Sequence, residues 1–224
     1  MAKEVNPHIA IIDYGMGNLR SVEKALARVG GRPRIIASPE EAGGARALVL
    51  PGVGAFGQAM DRLTESGFDR LVKDWVRADR PFLGICLGLQ LLFTASEEFG
   101  PVSGLDLVPG RVIRFRGSAF EPRDNAPGLK VPHMGWNRLS VLRPHPVLAG
   151  VPEDATAYFV HSYYCAPDDP DWTAVTTDHG IEFTSAVARG NVFASQFHPE
   201  KSGDVGLTML TNFVRLVHAA ESRG

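Results

Sequence analysis

The first half of the chain alternates short apolar runs with segments of helical periodicity. The apolar runs are "HIAIID", "ALVL" and "PFLGI", and the segments that follow them are "NLRSVEKALARVG", "AFGQAMDRLTESG" and "LGLQLLFTA". Strands that alternate with helices indicate a parallel sheet. The runs are almost wholly apolar, as strands covered by helices on both faces require. We therefore predict an α/β fold around a central, mostly parallel sheet.

Beyond Pro109 the pattern changes to short alternating segments separated by Pro, Gly and Asp. These are "RVIRF", "NRLSVL", "TAYFVHSYY", "WTAVTT", "FTSAVA" and "VFASQF". They predict antiparallel hairpins that extend the first sheet or form a second one. A last helix is predicted over 205–219 from the spacing of Leu207, Leu210, Phe213, Leu216 and Val217. The polar stretch 116–128 predicts an exposed loop, and we interpret residues 1–224 as a single domain.

Composition and charge exclude several classes of partner. The formal net charge is -2, so no basic excess attracts a nucleic acid or an anionic lipid surface. No apolar run approaches the roughly 20 residues of a spanning helix, and "MAKEVNPHIAIIDYG" lacks a basic stretch followed by a long apolar segment. Two cysteines cannot supply a disulfide framework. We expect a cytoplasmic protein that binds neither nucleic acid nor membrane.

Metal and cofactor chemistry also find little support. The seven histidines are scattered, without an HxxxH or CxxC pattern at ligand spacing. The segment "DYGMGNLR" follows a predicted strand but lacks the third glycine of a dinucleotide-binding fingerprint. We therefore expect no metal and no organic cofactor.

One cysteine stands between a predicted strand and a predicted helix in "PFLGICLGLQLLF". Cys86 follows Gly84 by two residues and precedes Gly88 by two. A strand, a sharp turn with one reactive residue and an immediate helix form a nucleophile elbow, whose crowded and strained backbone favours glycine nearby. The elbow also sets the sulfur at a helix N-terminus, which favours the thiolate. The alternative is an inert cysteine in the core.

The segment "SQFHPEKS" supplies a candidate base and a candidate acid. In an extended segment, side chains two residues apart share a face, so His198 and Glu200 would lie side by side. Glu200 would then orient the imidazole that accepts the thiol proton of Cys86. The alternative is a solvated turn at the end of a strand. Together with the elbow, the segment favours a Cys-His-Glu triad.

A glycine-rich turn, "PGVG", follows the strand "ALVL". The backbone N–H groups of Gly52, Val53 and Gly54 are candidate donors to the oxyanion of a tetrahedral intermediate, with the N–H of Leu87 as the other donor. The alternative is a simple glycine turn.

The chain order of nucleophile, histidine and acid differs from that of α/β-hydrolases, which disfavours an esterase.

Six motifs together resemble the class I glutamine amidotransferases, in which an elbow cysteine and an HPE histidine and glutamate hydrolyse glutamine. They are "IIDYGMGNLRSV", "PGVGAFGQAM", "GICLGLQLL", "KVPHMGWN", "YFVHSYY" and "SQFHPEKSG". The combination is similar to the branch formed by the glutaminase subunits of imidazole glycerol phosphate synthase. The resemblance implies a three-layer, flavodoxin-like fold with additional antiparallel strands in the C-terminal half.

The resemblance also implies roles for individual residues. Cys86 would attack the glutamine amide, His198 would protonate the departing ammonia, and water would then release glutamate from the thioester. The positions that hold the substrate match Gly52, Gln90, Ser162 and Tyr163. From spacing alone, Gln90 lies one helical turn beyond Cys86 and faces the same side, whereas "HSYY" also fits a plain strand.

A partner follows from the same resemblance. The ammonia would pass to a cyclase subunit with a (β/α)8 barrel, in a heterodimer of histidine biosynthesis. Trp136, Tyr158 and Lys201 match positions that face the cyclase, although a buried Trp136 is the alternative. The resemblance further implies that the glutaminase subunit alone is nearly inactive and that a ligand bound to the cyclase reorients "PGVG". We therefore expect Gly52→Pro or Gly54→Pro to abolish stimulation without unfolding the chain.

Two further functions stay open at this point. The first is a glutaminase that feeds another synthase, such as one making pyridoxal phosphate, GMP or anthranilate. The second is a redox-sensing or chaperone-like protein of the DJ-1 type, which the elbow cysteine also resembles. Such a protein needs no HPE motif after a distant strand, and oxidation of Cys86 without glutamine turnover would favour it.

Overall fold

The structure, a computed structural model, describes residues 8–122 and 127–221. The helices are α1 (Leu19–Arg28), α2 (Phe56–Glu65), α3 (Phe68–Arg77), α4 (Leu87–Gln90) and α5 (Gly203–Glu221). The strands are β1 (His8–Ile12), β2 (Arg32–Ile36), β3 (Ala47–Gly52), β4 (Phe82–Cys86), β5 (Phe93–Ser96), β6 (Val102–Ser103), β7 (Val108–Arg114), β8 (His133–Arg138), β9 (Ser140–Val141), β10 (Thr156–His161), β11 (Tyr163–Pro167), β12 (Thr173–Asp178), β13 (Glu182–Arg189) and β14 (Val192–Ser195).

A 12-stranded sheet runs through the molecule in the order β2-β1-β3-β4-β14-β13-β11-β7-β5-β6, with β12 and β9 branching from β13. The neighbours from β2 to β14 pair in parallel. From β14 through β13 and β11 to β7 the pairing is antiparallel. The predicted mostly parallel sheet is confirmed for the first half of the chain, and antiparallel strands extend it.

Helices cover both faces of the parallel strands. On β1, Ile9 and Ile11 pack into one apolar cluster, together with residues of α1 and α5. Ala10 and Ile12 pack into the other cluster, together with residues of α2 and α3. Because successive side chains of a strand point to opposite faces, one apolar run serves two cores. This arrangement confirms the predicted three-layer α/β fold.

The second predicted possibility, a separate sheet, also occurs. Strands β8 and β10 pair only with each other, antiparallel, in a two-stranded sheet. The segment predicted as one strand, "TAYFVHSYY", is therefore two strands. Its chain leaves the small sheet at His161 and enters the large sheet at Tyr163, so Ser162 lies at the crossing.

Several elements differ from the sequence-based predictions. The helix after Cys86 ends at Gln90 after one turn, and Phe93–Ser96 forms a strand. The residues from Leu87 to Phe93 are all buried, so this segment has no polar side to turn toward solvent as a surface helix does. The sequence analysis did not identify β2 or α3. The last helix is longer than predicted and covers Gly203–Glu221.

The stretch predicted as an exposed loop forms neither helix nor strand in its described parts, 116–122 and 127–128, which are mostly exposed. Residues 123–126 lie outside the described residues. Phe120 anchors the loop, since its ring lies 5.5 Å from that of Phe115. Within residues 8–122 and 127–221, none of the helices is long and apolar enough to cross a bilayer.

Candidate active site

Three parallel strands bring the predicted site residues to one edge of the sheet. In β3 and β4, Gly52 pairs with Cys86, and in β4 and β14, Ile85 pairs with Ser195. Parallel strands end at the same edge, where α/β proteins bind their ligands. The "PGVG" turn, the elbow and the segment that begins with Gln196 therefore meet at this edge.

The backbone at Cys86 has the strain predicted for a nucleophile elbow. Its φ is 56° and its ψ is -109°, a conformation that residues other than glycine rarely adopt. The flanking glycines allow the close approach of neighbouring chains. A Cβ atom on Gly84 would lie 2.7 Å from the Cβ of Ala194, and one on Gly88 would overlap the carbonyl oxygen of Leu50. The sulfur-bearing turn is thus held by backbone packing on both sides.

The pair predicted from the HPE motif is in contact. Nδ1 of His198 lies 2.8 Å from Oε1 of Glu200, and both side chains are almost completely buried. The backbone differs from the prediction, because Pro199–Lys201 forms a 3-10 turn rather than an extended segment. The turn brings Glu200 back to the ring, and its backbone is tied to β10 by the bond from the N–H of His198 to the carbonyl of Tyr158, 3.0 Å.

The environment of His198 favours the protonated ring. Burial lowers its pKa, but the interactions with Cys86 and Glu200 outweigh burial and raise the pKa to about 9. Nε2 of the ring is buried and has no partner in hydrogen-bond geometry. An imidazole held by a carboxylate at Nδ1 and open at Nε2 is arranged to take a proton from a thiol and return it.

The predicted residues surround a cavity of about 340 Å³. It is lined by Val53, Gly54, Cys86, Leu87, Gln90, Glu98, Pro132, Val160, His161, Ser162, Tyr163 and His198. Gly52 and Glu200 lie behind this wall and line a small void there. A glutamine-sized ligand fits such a volume.

Gln90 faces the cavity side of α4, as its spacing predicts. Its Nε2 donates to the carbonyl of Tyr163 at 3.1 Å and to Oε1 of Gln196 at 2.9 Å. Both amide hydrogens are therefore used, and Oε1 is the polar atom left for a ligand. Ser162 and Tyr163 line the cavity next to Gln90, and the carbonyl of Ser162 accepts from the N–H of Phe115 at 3.1 Å.

The glycine-rich turn differs from the prediction in one donor. The N–H of Val53 donates to the carbonyl of Met16 at 3.3 Å, so it is not directed at Cys86. Leu87 is the first residue of α4, where an N–H has no helical carbonyl to bind. The oxyanion site predicted from Val53 and Leu87 thus has one of those two donors engaged elsewhere in this conformation.

The geometry of this turn bears on the predicted proline substitutions at Gly52 and Gly54. A Cβ on Gly52 would collide with the hydroxyl of Tyr14 and lie 2.9 Å from the Cβ of Leu87. Gly54 has a φ of 106°, which the proline ring cannot adopt. Both substitutions are therefore expected to distort the local backbone, in addition to any effect on the orientation of the turn.

Two residues of the site escaped the sequence analysis. Gln196 donates from Nε2 to the sulfur of Cys86 at 3.7 Å. It belongs to "SQFHPEKS" and lies two residues before His198, so spacing places it beside His198 but does not indicate its contact with Cys86. Glu98 lines the cavity, and its Oε2 accepts from the N–H of Phe56 at 2.7 Å. No spacing links Glu98 to the other motifs.

The three residues predicted at a partner interface form one surface. Trp136 is 57% exposed, so the alternative of a buried Trp136 is wrong. It pairs with Tyr158 across the two-stranded sheet, and the two ring centroids lie 6.4 Å apart. Nζ of Lys201 lies 6.0 Å from the Tyr158 ring. This surface lies behind the triad, because Tyr158 binds the backbone of His198.

The other candidate sites have fewer reactive groups. A wider, open depression of about 580 Å³ lies beside α1 and is lined by Asp13, Asn18, Arg20, Glu23 and Arg34 among others, but it has no nucleophile. Among residues 8–122 and 127–221, no group of three His, Cys, Asp or Glu side chains could hold a metal ion. Cys165 is buried in β11.

Comparison with known proteins agrees with the geometry. Residues 10–217 match the family Glutamine amidotransferase class-I. The imidazole glycerol phosphate synthase subunit HisH of Syntrophotalea carbinolica is 54% identical over 205 residues, covering 92% of this chain and 98% of that protein. HisH of Thermosynechococcus vestitus is 53% identical over 214 residues, covering 94% and 98%.

Solved structures of lower identity share the fold. A putative GMP synthase protein from Thermoplasma acidophilum has a TM-score of 0.70 at 20% identity, covering 97% of this chain and 96% of that one. PurLQS from Thermotoga maritima has a TM-score of 0.70 at 15% identity, covering 96% and 99%. The family match, the identities near 50% and the shared fold lead to one conclusion: the chain belongs to the class I glutamine amidotransferases and, within them, to the HisH subunits of imidazole glycerol phosphate synthase.

Proposed function

We propose that the protein hydrolyses glutamine with a Cys86-His198-Glu200 triad and passes the ammonia to a cyclase subunit that makes imidazole glycerol phosphate. The observation that carries this proposal is the meeting of the elbow sulfur and the buried His198-Glu200 pair at one glutamine-sized cavity. The HisH relatives support the same reaction in histidine biosynthesis.

In the proposed reaction His198 already holds the thiol proton as an imidazolium, and the thiolate of Cys86 attacks the amide carbon. The oxyanion of the tetrahedral intermediate forms toward the N–H of Leu87. As this intermediate collapses, the C–N bond breaks and His198 returns its proton to the leaving ammonia. A water molecule, deprotonated by the same imidazole, then attacks the thioester and releases glutamate, which restores the thiol.

The proposed substrate contacts divide between the two ends of glutamine. The Glu98 carboxylate, which lines the cavity, suits the α-ammonium group. Oε1 of Gln90 is free to accept from the substrate. Ser162 and Tyr163 form the wall along which the substrate lies. Gly52 lies behind the wall and has no side chain that could reach the substrate. Its proposed role is to let β3 pass close to Tyr14.

The engaged donor in the glycine-rich turn supports a conditional activity. While the N–H of Val53 binds the carbonyl of Met16, it cannot stabilise an oxyanion at Cys86. Losing one such donor costs about 3 kcal/mol of transition-state stabilisation. We therefore propose that the free subunit is slow and that the partner, with its ligand bound, turns this peptide toward the cavity.

The proposed partner surface consists of Trp136, Tyr158 and Lys201, with Met134 beside them at 64% exposure. Exposed aromatic residues and methionine are enriched at the centre of protein interfaces, whereas a charged residue such as Lys201 suits the polar rim. We propose a heterodimer with a (β/α)8-barrel cyclase that carries out the lyase reaction. A single domain over 1–224 and a cytoplasmic location are parts of this proposal, the latter supported by two free cysteines.

The test is complementation of a histidine auxotroph that lacks its glutaminase subunit. The wild-type chain is expected to restore growth without histidine, whereas Cys86→Ala, His198→Ala and Glu200→Gln are not. Growth restored instead in strains that need a glutaminase for pyridoxal phosphate, GMP or anthranilate synthesis would assign the chain to another synthase. Oxidation of Cys86 by peroxide without glutamine turnover would favour the redox function.

A further inference from the structure

A continuous chain of hydrogen bonds joins the two-stranded sheet to the sulfur of Cys86. It starts at Asn137 of β8, whose Nδ2 lies 2.7 Å from the carbonyl oxygen of Asp178 and 3.1 Å from Nε2 of His133. It continues between Nδ1 of His133 and Nε2 of His161, 3.0 Å, and between Nδ1 of His161 and the carbonyl oxygen of Tyr163, 2.8 Å.

From the Tyr163 carbonyl the chain runs through two amides. Nε2 of Gln90 donates to this carbonyl and to Oε1 of Gln196, and Nε2 of Gln196 donates to the sulfur. Gln196 is completely buried and Gln90 nearly so. The triad mechanism uses neither amide for proton transfer, so their role needs a separate account.

The direction of every bond near the sulfur follows from one fixed acceptor. The Tyr163 carbonyl can only accept, so it requires the NH2 end of Gln90 on its side. That end also faces Gln196, which must then present its oxygen to Gln90. The NH2 end of Gln196 is left to face Cys86. A flipped Gln196 would set two NH2 groups against each other and direct its oxygen at the sulfur.

The histidine part of the chain has a fixed direction for the same reason. Since the Tyr163 carbonyl accepts, His161 carries its proton on Nδ1 and accepts at Nε2, and His133 must donate from its own Nδ1. Nε2 of His133 then accepts from Asn137, whose NH2 end is fixed by the Asp178 carbonyl. Both rings are neutral, in agreement with burial, which lowers the pKa of His133 to about 4 and of His161 to about 3.

We propose that Gln196 is a further catalytic residue, whose buried amide N–H stabilises the ionised sulfur of Cys86, and that Gln90 is a positioning residue that holds this amide in the donating orientation. His161 is a positioning residue one step further away, because it holds the Tyr163 carbonyl to which Gln90 donates. The proposal deepens the proposed glutaminase function. A fixed donor at the sulfur favours thiolate over thiol before the substrate arrives, because it hydrogen-bonds to the charged form.

Several other titratable groups lie around the sulfur. His198, from the turn after β14, is the cation that faces Cys86, and Glu200 lies behind it. Burial raises the pKa of the Tyr14 hydroxyl and of the Cys165 thiol, so both are neutral at pH 7. Glu98 lines the same cavity. Gln196 therefore adds a neutral donor beside a single cation.

The experiment measures the alkylation rate of Cys86 by iodoacetamide against pH in the purified full chain, with peptide-resolved mass spectrometry to separate Cys86 from Cys165. Gln196→Met keeps the size but removes the donor, and it is expected to raise the pH midpoint of alkylation by about one unit. Gln196→Glu places a carboxylate there and is expected to raise the midpoint further, by about two units. His161→Phe should cause a smaller shift in the same direction.

Thr173→Val is the matched control, since it removes a buried hydrogen bond, to Thr184, that is not part of the hydrogen-bond chain to the sulfur. Its midpoint should equal that of the wild type. Circular dichroism and thermal melting check each fold; if Gln196→Met does not fold, Gln196→Glu, which retains an acceptor for Gln90, decides the question. An unchanged midpoint in the folded Gln196 variants would overturn the proposal, and an unchanged midpoint in His161→Phe would remove the histidines from it.

Alkylation needs neither glutamine nor a partner, so this result is independent of the proposed function. A shifted midpoint in a chain that never releases glutamate would support the role of Gln196 and contradict the glutaminase. An unshifted midpoint in an active glutaminase would do the reverse.

Discussion

The parallel and antiparallel halves of the molecule differ in how they bury their strands. Every residue of β3 and β4 is buried, so both faces of these strands lie under helices. In β10, by contrast, buried residues alternate with exposed or half-buried ones, and in β8 only His133 is buried. A strand packed on both faces has little freedom to move, whereas a two-stranded sheet with one open face can respond to what docks on it.

The site lies where these two halves meet, and each contributes a different kind of residue. The parallel half holds the strained elbow and the glycine-rich turn. The antiparallel half supplies the Ser162–Tyr163 wall, the exposed Trp136–Tyr158 pair and the buried histidines. The bond from His198 to the Tyr158 carbonyl joins the two. The comparison teaches that the strained elbow is built on fully buried strands, whereas the exposed aromatic pair, our proposed partner surface, lies on a sheet with one open face.

The largest effect is expected from replacing Cys86, which tests whether the thiol at the elbow is the nucleophile. Cys86→Ser should lower glutamine hydrolysis by about 10⁴-fold or more, because the chemistry depends on one thiolate. Glutamate release in the presence of the partner measures this. Cys165→Ala is the matched control, since Cys165 is a buried thiol outside the cavity, and its activity should remain within about threefold of wild type.

The next effect tests the rigid packing of the elbow. Gly88→Ala should destabilise the fold by about 3 kcal/mol, because the added Cβ overlaps the carbonyl oxygen of Leu50. Gly57→Ala, in α2, is the control: its Cβ would lie 3.7 Å from Val102, so it should stabilise by about 0.5 kcal/mol. Urea unfolding distinguishes them, and equal stabilities would contradict the tight packing.

A third, smaller effect tests the open half. Trp136→Ala should weaken binding to the cyclase by about 30-fold, as expected for an exposed aromatic residue at the centre of an interface. The stability of the isolated chain should change by less than about 0.5 kcal/mol. Titration of the partner with the two chains measures the affinity. Phe99→Ala is the control, since Phe99 is 90% exposed and outside this surface, and an equal loss there would contradict the assignment.

The smallest effect concerns pH. The pKa of His198 is about 9 in the folded chain, above its ordinary value of 6.5. The stability that this ring contributes is therefore complete below about pH 6.5 and is lost as the pH rises through about 9. The difference in unfolding free energy between wild type and His198→Gln should fall by about 1–3 kcal/mol across this window.

His145→Gln is the control for the pH prediction. Burial lowers the pKa of His145, so this ring contributes no such loss above pH 6.5. A difference between wild type and His198→Gln that stays constant from pH 6 to pH 9.5 would contradict the raised pKa of His198.

Local motifs made the triad and the parallel sheet predictable from the sequence. The elbow is recognised from Gly84, Cys86 and Gly88, and the HPE pair from two residues of one tripeptide. Residues close together in the sequence therefore identify both motifs. The strands β1, β3 and β4 were predictable because they are apolar at almost every position. The end of α4 at Gln90 was missed, since an unbroken apolar run fits a helix or a strand equally well.

Long-range contacts set the limit of the sequence-based prediction. The bond from Gln196 to Cys86 joins residues 110 positions apart, and no local pattern selects that partner. The orientation of the Val53 peptide was equally inaccessible, because a turn of two glycines allows either direction. The division of "TAYFVHSYY" between two sheets depends on the partners of each strand rather than on its own alternation.

The central claim is tested most directly by glutamate release from glutamine, measured with wild type, Cys86→Ser and Trp136→Ala, each with and without the cyclase and its nucleotide ligand. The account predicts strong release only from the wild type with partner and ligand, weak release from Trp136→Ala at limiting partner, and release from Cys86→Ser that is lower by about 10⁴-fold or more. Full release by the wild-type chain alone, or partner-dependent release by Cys86→Ser within about 100-fold of the wild type, would contradict it.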